Sequence, residues 1–249
     1  MTEKENSTTA MTALVTGANA GIGLHATRQL ARSGIRVLLC SRDPARGTAA
    51  ASELVAEGLD VDPVTLDVTD DGTIAATVRH VTQTYGHLDV LINNAAIVGD
   101  GQPATGTSRS SLLQTVDTNV AGVVAVTNAF LPLLRSSRRP RIVNVSSELG
   151  STRLVNDPDW AHASVAVAAY QSSKSALDML TVMYAKELAA ESIPVISASP
   201  GYRATGLSGG PTPDAGDPAE GAAAIVALAL ADDLPTGVFF DDQGDRVAW

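Results

Sequence analysis

Tyr170 and Lys174 stand four residues apart in a segment with helical patterning, so their side chains share one face, one turn apart. A tyrosine hydroxyl ordinarily has a pKa near 10 and is a poor proton donor or acceptor at neutral pH, but a fixed cation beside it favours the ionised form. Lowering that pKa by about three units requires roughly 4 kcal/mol of differential interaction, within reach of a lysine and one further positive charge. Tyr170 can then give a proton to a carbonyl oxygen or take one from an alcohol. The chain has 14 Arg but only three Lys (Lys4, Lys174, Lys186), so a lysine at this spacing stands out.

A second site opens after the first apolar run. Thr16-Gly17-Ala18-Asn19-Ala20-Gly21-Ile22-Gly23 lies between a strand pattern and a helix pattern. Glycines at 17, 21 and 23 allow a sharp turn, close approach to a pyrophosphate and tight helix packing, while free N–H groups at the helix start attract the anion. The loop is therefore read as a dinucleotide site. The second strand ends Leu39-Cys40-Ser41-Arg42-Asp43. An NAD site places a carboxylate at that end, whereas Ser41 and Arg42 offer a hydroxyl and a guanidinium to a 2′-phosphate, so NADP(H) is expected over NAD(H). In the competing reading Asp43 swings in and Arg42 is a solvated charge.

These sites need a scaffold, and the rest of the chain supplies its pattern. Short strand-like runs at 13–16, 36–40, 61–66, 88–92, 141–146, 194–199 and 237–240 alternate with helical segments at 22–33, 44–57, 70–85, 110–134, 169–190 and 218–231. Alternation of this kind predicts an α/β fold: a doubly wound Rossmann-type domain of about seven parallel strands, spanning 12–249, with helices on both faces. Residues 1–11 read as a flexible tail. Two long connections, 148–168 and the Gly/Pro-rich 202–217, leave from the carboxyl ends of strands and are expected to form the walls and lid of a pocket.

Composition narrows the partners. The 249 residues carry 17 Lys+Arg against 27 Asp+Glu, a net −10, which disfavours nucleic acid. The apolar stretch 222–231 is far shorter than the roughly 18 residues of a membrane span, and the polar start MTEKENSTTA is unlike a secretion signal, so no membrane association and a cytoplasmic location are expected. Cys40 is the only cysteine and reads as a small apolar core residue. No metal site is expected, and His25, His80, His87 and His162 have no partner at ligand spacing.

The motifs together are more specific than any one of them. Thr16–Gly23, Asn93-Asn94-Ala95-Ala96, Asn119, Ser146-Ser147, Tyr170/Lys174 and Pro200-Gly201 resemble, in order and spacing, the signature of the short-chain dehydrogenase/reductase family. The resemblance implies hydride transfer between NAD(P) and a carbonyl or alcohol. It implies Tyr170 as general acid/base, Lys174 holding the nicotinamide ribose and lowering the tyrosine pKa, Ser147 bonding the substrate oxygen, and Asn119 holding a water that links Lys174 to solvent. It also implies cofactor contacts at Gly17, Asn19, Gly21, Ile22, Gly23, Ser41, Arg42, Asp67, Val68, Asn94, Ala95, Tyr170, Lys174, Gly201 and Thr205.

The chain departs from the family pattern at three places. Ala20 replaces a basic residue of many NADP-using members, Ala96 a glycine, and Arg203 a small aliphatic residue; Arg203 is expected to point into the lid and meet cofactor phosphates or an anionic substrate. The 23-position gap between Ser147 and Tyr170 resembles the carbonyl-reductase-like branch. Leu154, Val155, Trp160, Val165 and Val167 within it suggest a small hydrophobic ketone, aldehyde or alcohol as substrate. A β-ketoacyl-carrier-protein reductase and a non-catalytic NADP-sensing protein are the alternatives, and a homo-oligomer (dimer or tetramer) and a monomer both remain open.

Overall fold

A computed structural model describes residues 11–208 and 213–249. Seven strands form one parallel sheet: β1 (Thr12–Val15), β2 (Arg36–Ser41), β3 (Val61–Thr65), β4 (Val90–Asn93), β5 (Arg141–Val145), β6 (Val195–Ala198) and β7 (Phe239–Phe240), in the order β3-β2-β1-β4-β5-β6-β7. The order reverses direction beside β1, which leaves a crevice at the carboxyl ends of β1 and β4. The expected Rossmann-type sheet is observed, although its last strand shrinks to two residues. The proposed tail lies outside the described residues apart from Met11, and so does part of the expected lid, 209–212.

Strand residues alternate between two cores, as the two-residue period of a strand requires. Ala13, Val15, Val37, Leu39, Val90 and Ile92 face α1 (Gly21–Arg32), α2 (Pro44–Ala56) and α8 (Pro218–Leu230). Leu14, Leu38, Leu91, Ile142 and Val195 face α3 (Asp71–Thr84), α5 (Gly122–Arg135) and α7 (Ala168–Leu188). Covering both faces explains why the strands read as continuous apolar runs. Helix starts follow local chemistry: Asp43 and Asp217 cap α2 and α8, accepting from backbone N–H groups of the first turn, and Pro44 and Pro218 occupy the position where a missing N–H does no harm.

The single helix expected over 110–134 is two helices joined by a wider turn. After α4 (Arg109–Val116), residues Asp117–Ala121 form a π-helical turn before α5. Read as one run, Arg109–Arg135 is long and apolar enough by length and composition to cross a membrane, which an inspection of 222–231 alone overlooks. Here it packs against α3 and α7.

The far end of the sheet is closed by Arg141. Its guanidinium is buried and donates from Nη1 to the carbonyls of Ala229 and Ala231 at 2.8 and 2.6 Å, satisfying the open end of α8. Arg141→Ala is expected to remove about 2–3 kcal/mol and to lower Tm by roughly 5–10 °C in calorimetry. An unchanged Tm would mean that α8 does not depend on this cap.

Candidate active site

The glycine turn after β1 encloses the floor of a cleft of about 850 Å³. Gly17 and Gly21 have φ of +62° and +55°, the left-handed region that glycine enters without strain. A Cβ on Gly17 would lie 2.9 Å from Ala95 Cα, and one on Gly23 would lie 2.6 Å from Asn94 Nδ2. These glycines therefore let β1, α1 and the segment after β4 approach one another. Asn94 locks the approach, donating to the carbonyls of Thr16 and Gly17, while Thr16 Oγ1 accepts from Asn94 N and Ala95 N.

Twelve of the fifteen expected cofactor residues line this cleft: Gly17, Asn19, Gly21, Ile22, Gly23, Ser41, Arg42, Asp67, Val68, Asn94, Ala95 and Thr205. Tyr170, Lys174 and Gly201 do not. Asp67 Oδ1 accepts from Thr69 N and Thr69 Oγ1, so the carboxylate shapes the turn after β3 while facing the cleft. Gly201, at φ +72°, brings the chain against Asp242.

The end of β2 resolves one ambiguity and corrects one expectation. Asp43 is occupied as the cap of α2, accepting from Ala45 N and Arg46 N at 2.9 and 3.1 Å. The Ser41 hydroxyl is buried and donates to the Asp43 carbonyl at 2.8 Å, so it is not a free donor for a phosphate. Instead Arg46, one helical turn beyond Arg42, joins it in the cleft lining. Sequence reading overlooked Arg46, although its four-residue spacing from Arg42 at a helix start was a usable signal.

Ser147, Tyr170 and Lys174 are gathered at the carboxyl ends of β5 and the first turns of α7. Ser147 Oγ accepts from Leu149 N at 3.3 Å and acts on the Tyr170 hydroxyl, while Lys174 Nζ sits 5.5 Å from the centre of the Tyr170 ring. Lys174 is 2% exposed and donates to the Val145 carbonyl at 2.7 Å. Burial draws its pKa down to about 8, opposed by Asp178. The expected lowering of the tyrosine pKa is not found in this state: burial pushes Tyr170 up to about 12, Ser147 acts in the opposite direction, and Asp178 adds to the rise. Loss of hydration opposes the phenolate and outweighs the Ser147 hydroxyl.

Asn119 belongs to the π turn, and its side chain is fully engaged. Its Oδ1 accepts from Ile97 N, and its Nδ2 donates to Ile97 O and Ser173 Oγ, each at 2.9 Å. The amide joins the post-β4 segment to α7 through Ile97 and Ser173.

Arg203 also differs from expectation. Its guanidinium donates to the Pro200 carbonyl at 2.7 Å, to Glu220 at 3.0 Å and to Asp242, binding the start of the lid to α8 and to the segment after β7. Two carboxylates answer its charge, which is not presented to the cleft. The stems of the lid are tied by Ala204 N to Gly216 O and Gly216 N to Tyr202 O, both 3.0 Å. Across from them, the 148–168 connection folds into a short turn, Glu148–Gly150, and α6 (Thr152–Val155). Its Trp160 meets His162 edge-on at 5.3 Å, and His162 lies 6.5 Å from Tyr202, so the two connections expected to wall the pocket touch through aromatic rings.

Sheet order, glycine turn and the Ser/Tyr/Lys group together define a Rossmann-type oxidoreductase. The chain belongs to the short-chain dehydrogenase family, whose family model, described as short chain dehydrogenase, matches residues 11–215. It is 36% identical over 203 residues to a short-chain dehydrogenase of Penicillium roqueforti, covering 79% of this chain and 80% of that one. Among solved structures it resembles the NADPH-bound carbonyl reductase from chicken fatty liver, with 26% identity, a TM-score of 0.86 and coverage of 96% of this chain and 99% of that one. An actinorhodin polyketide ketoreductase with NADPH is 28% identical, with a TM-score of 0.81 and coverage of 93% and 95%.

Gly23→Ala places a methyl 2.6 Å from Asn94 Nδ2 and 2.7 Å from the Gly17 carbonyl. It should destabilise the protein by about 1–3 kcal/mol in urea denaturation; a wild-type midpoint would show that the turn has room to spare.

Proposed function

We propose that the protein is an NADP(H)-dependent oxidoreductase that transfers a hydride between the nicotinamide and a ketone, aldehyde or secondary alcohol, with Tyr170 as general acid/base. The observation that carries this reading is the meeting of Ser147, Tyr170 and the buried Lys174 at the same carboxyl edge of the sheet as the glycine-floored cleft. The residues fit a dinucleotide: the glycine turn leaves space where a Cβ would intrude, and two guanidiniums stand at the β2 end. Gly17, Asn19, Gly21, Ile22 and Gly23 would hold the pyrophosphate, Asp67, Val68, Asn94 and Ala95 the adenosine side, and Thr205 and Gly201 the far end. Arg42 and Arg46 would pair with a 2′-phosphate. When bound, the cofactor supplies or accepts the hydride.

The chain's own residues manage the proton. A Tyr170 hydroxyl held near 12 is protonated at neutral pH and is ready to donate to a carbonyl oxygen that Ser147 orients. In the direction of alcohol oxidation it must first be made more acidic, and Lys174, still largely cationic below about pH 8, is the group in place to do so. The aromatic contact of Trp160, His162 and Tyr202 favours a small hydrophobic substrate.

A cytoplasmic setting without membrane or nucleic-acid partners belongs to the same proposal, supported by the net charge of −10 and by an unpaired, buried Cys40. The ketoacyl-carrier reading shares the fold of the polyketide ketoreductase, but the basic cluster it would use is engaged elsewhere: Arg139 pairs with Asp232, and Arg141 is buried under α8.

Tyr170→Phe is expected to lower NADPH oxidation across a panel of ketones and aldehydes by about 10²–10⁴-fold, with NADPH affinity, followed by fluorescence, little changed. Retained turnover would refute the role, and NADPH binding with no turnover of any carbonyl by the wild type would favour the sensing alternative. Arg42→Ala and Arg46→Ala should each raise KM for NADPH by about tenfold, the equivalent of 1.4 kcal/mol, while leaving that for NADH nearly unchanged. A wild-type preference for NADH would overturn the NADP assignment.

A further inference from the structure

Below Tyr170 and Lys174 the inner face of α7 continues with polar residues at helical spacing, Asp178 and then Thr181, where a helix against a sheet would ordinarily bury apolar side chains. Asp178 is 4% exposed and Thr181 is fully buried. The sheet answers with a polar row of its own. Asn93 of β4, Asn144 of β5 and the hydroxyl of Ser197 in β6 are register partners, Asn93 with Asn144 and Asn144 with Ser197, so all three point to the same face. Hydrogen bonds join the rows into one buried chain. Asn93 Nδ2 reaches Thr127 Oγ1 of α5 at 3.1 Å and Asn144 Oδ1 at 2.9 Å; Asn144 Nδ2 reaches Thr181 Oγ1 at 2.9 Å; Thr181 lies 2.9 Å from Ser197 Oγ, which donates to Asp178 Oδ1 at 2.8 Å. The chain therefore terminates on a carboxylate one turn from the buried Lys174.

We propose that Asp178 is a positioning residue for Lys174: its carboxylate, fixed by Ser197 at the end of the polar row across β4, β5 and β6, keeps the buried ammonium charged and in line with Tyr170. The inference rests on the reading of Tyr170 and Lys174 as the acid–base pair. The two groups form no direct ion pair, since Lys174 Nζ donates to Val145 O, and the carboxylate acts through space over one helical turn. Asp178 Oδ2 has no hydrogen-bond partner, and Ser146, at the end of β5, faces it without meeting hydrogen-bond geometry. An anion so incompletely satisfied is held in the interior by the fold around it, and a neighbouring cation is what makes its burial tolerable.

No other charge does this work. Among the described residues, Asp178 is the acidic side chain that acts on Lys174, and Lys174 the basic one that acts on Asp178. Of the elements packed against α7, β6 has no ionisable side chain. Arg109 of α4, Asp117 of the π turn, Glu148 of the turn after Ser147 and Glu191 beyond the helix end act on neither group. Burial pushes the Asp178 carboxyl up to about 6 and draws Lys174 down to about 8, so both are charged only in the interval between. As pH rises through that upper value the ammonium is lost. Removing the carboxylate takes away a stabiliser of the cation and brings that loss to lower pH.

The three lysines of the chain make a direct test practical. Carbon-13 lysine labelling of the full-length protein reports each side chain's titration by NMR, with Lys174 assigned through Lys174→Arg. In the wild type its midpoint is expected near 8. Asp178→Asn keeps the size of the side chain and should move the midpoint down by about one unit or more, and the alkaline limb of kcat for carbonyl reduction should follow. Asp178→Glu restores the charge and should return the midpoint to within about half a unit of wild type. A purely structural role would lower kcat at every pH and leave both the limb and the midpoint in place, and an unmoved midpoint in Asp178→Asn overturns the proposal. So does an equal shift in Asn and Glu variants. Should the Asn variant not fold, Ser197→Ala retains the carboxylate but frees it from the row, and an unmoved Lys174 midpoint there is equally decisive against it. The midpoint is read without turnover, so a lysine that shifts as expected in a protein whose Tyr170→Phe variant stays active would remove the catalytic reading and leave the coupling intact.

Discussion

Burying an ammonium group next to a phenol is the constraint around which this end of the molecule is organised. Lys174 gives up most of its hydration, and the interior returns one carbonyl, that of Val145, an aromatic ring 5.5 Å away and a carboxylate one turn distant. Such a group is tolerated only where partners held firmly in place replace the water it has lost. The polar row through Asn93, Asn144, Thr181 and Ser197 supplies that rigidity, because each member is held in a strand or helix and bonded to its neighbours. The apolar layers on either side exclude the water that would otherwise hydrate the ion.

A different requirement governs the glycine-floored cleft, where the need is for space. Gly17 and Gly23 keep side chains out of the place where β1, α1 and the post-β4 segment meet, and Asn94 binds that junction through backbone groups. One part of this edge is thus made by removing atoms and another by burying charge. Both lie at the carboxyl edge of one sheet, the edge at which open parallel sheets bind their ligands.

Much of this was readable in the amino-acid order. The seven strands and the helices between them follow from period and apolar run length, and β1 to β6 fall within a residue or two of the expected places. Glycine spacing and the Tyr170/Lys174 interval are local features, and local features survive translation into structure. What could not be read depended on contacts distant in sequence. Asn144 and Ser197 look like ordinary strand residues until register places them side by side with Asn93. Arg203 looked like a ligand-binding cation because its partners, Glu220 and Asp242, lie 17 and 39 residues away. The tyrosine pKa was judged from nearby positive charge, whereas the loss of hydration in the folded state is the larger influence.

The π turn at Asp117–Ala121 has a consequence for how such chains can vary in length. A π turn takes one residue more than an α turn to complete the same rotation, so taking one residue out of it would restore a regular helix and leave α5 facing the sheet much as before. What would be lost is the local widening that holds Asn119 between Ile97 and Ser173. Natural changes of length between 109 and 135 should therefore be confined to exchange of this π turn for an α turn, and otherwise gather in surface connections such as 148–168.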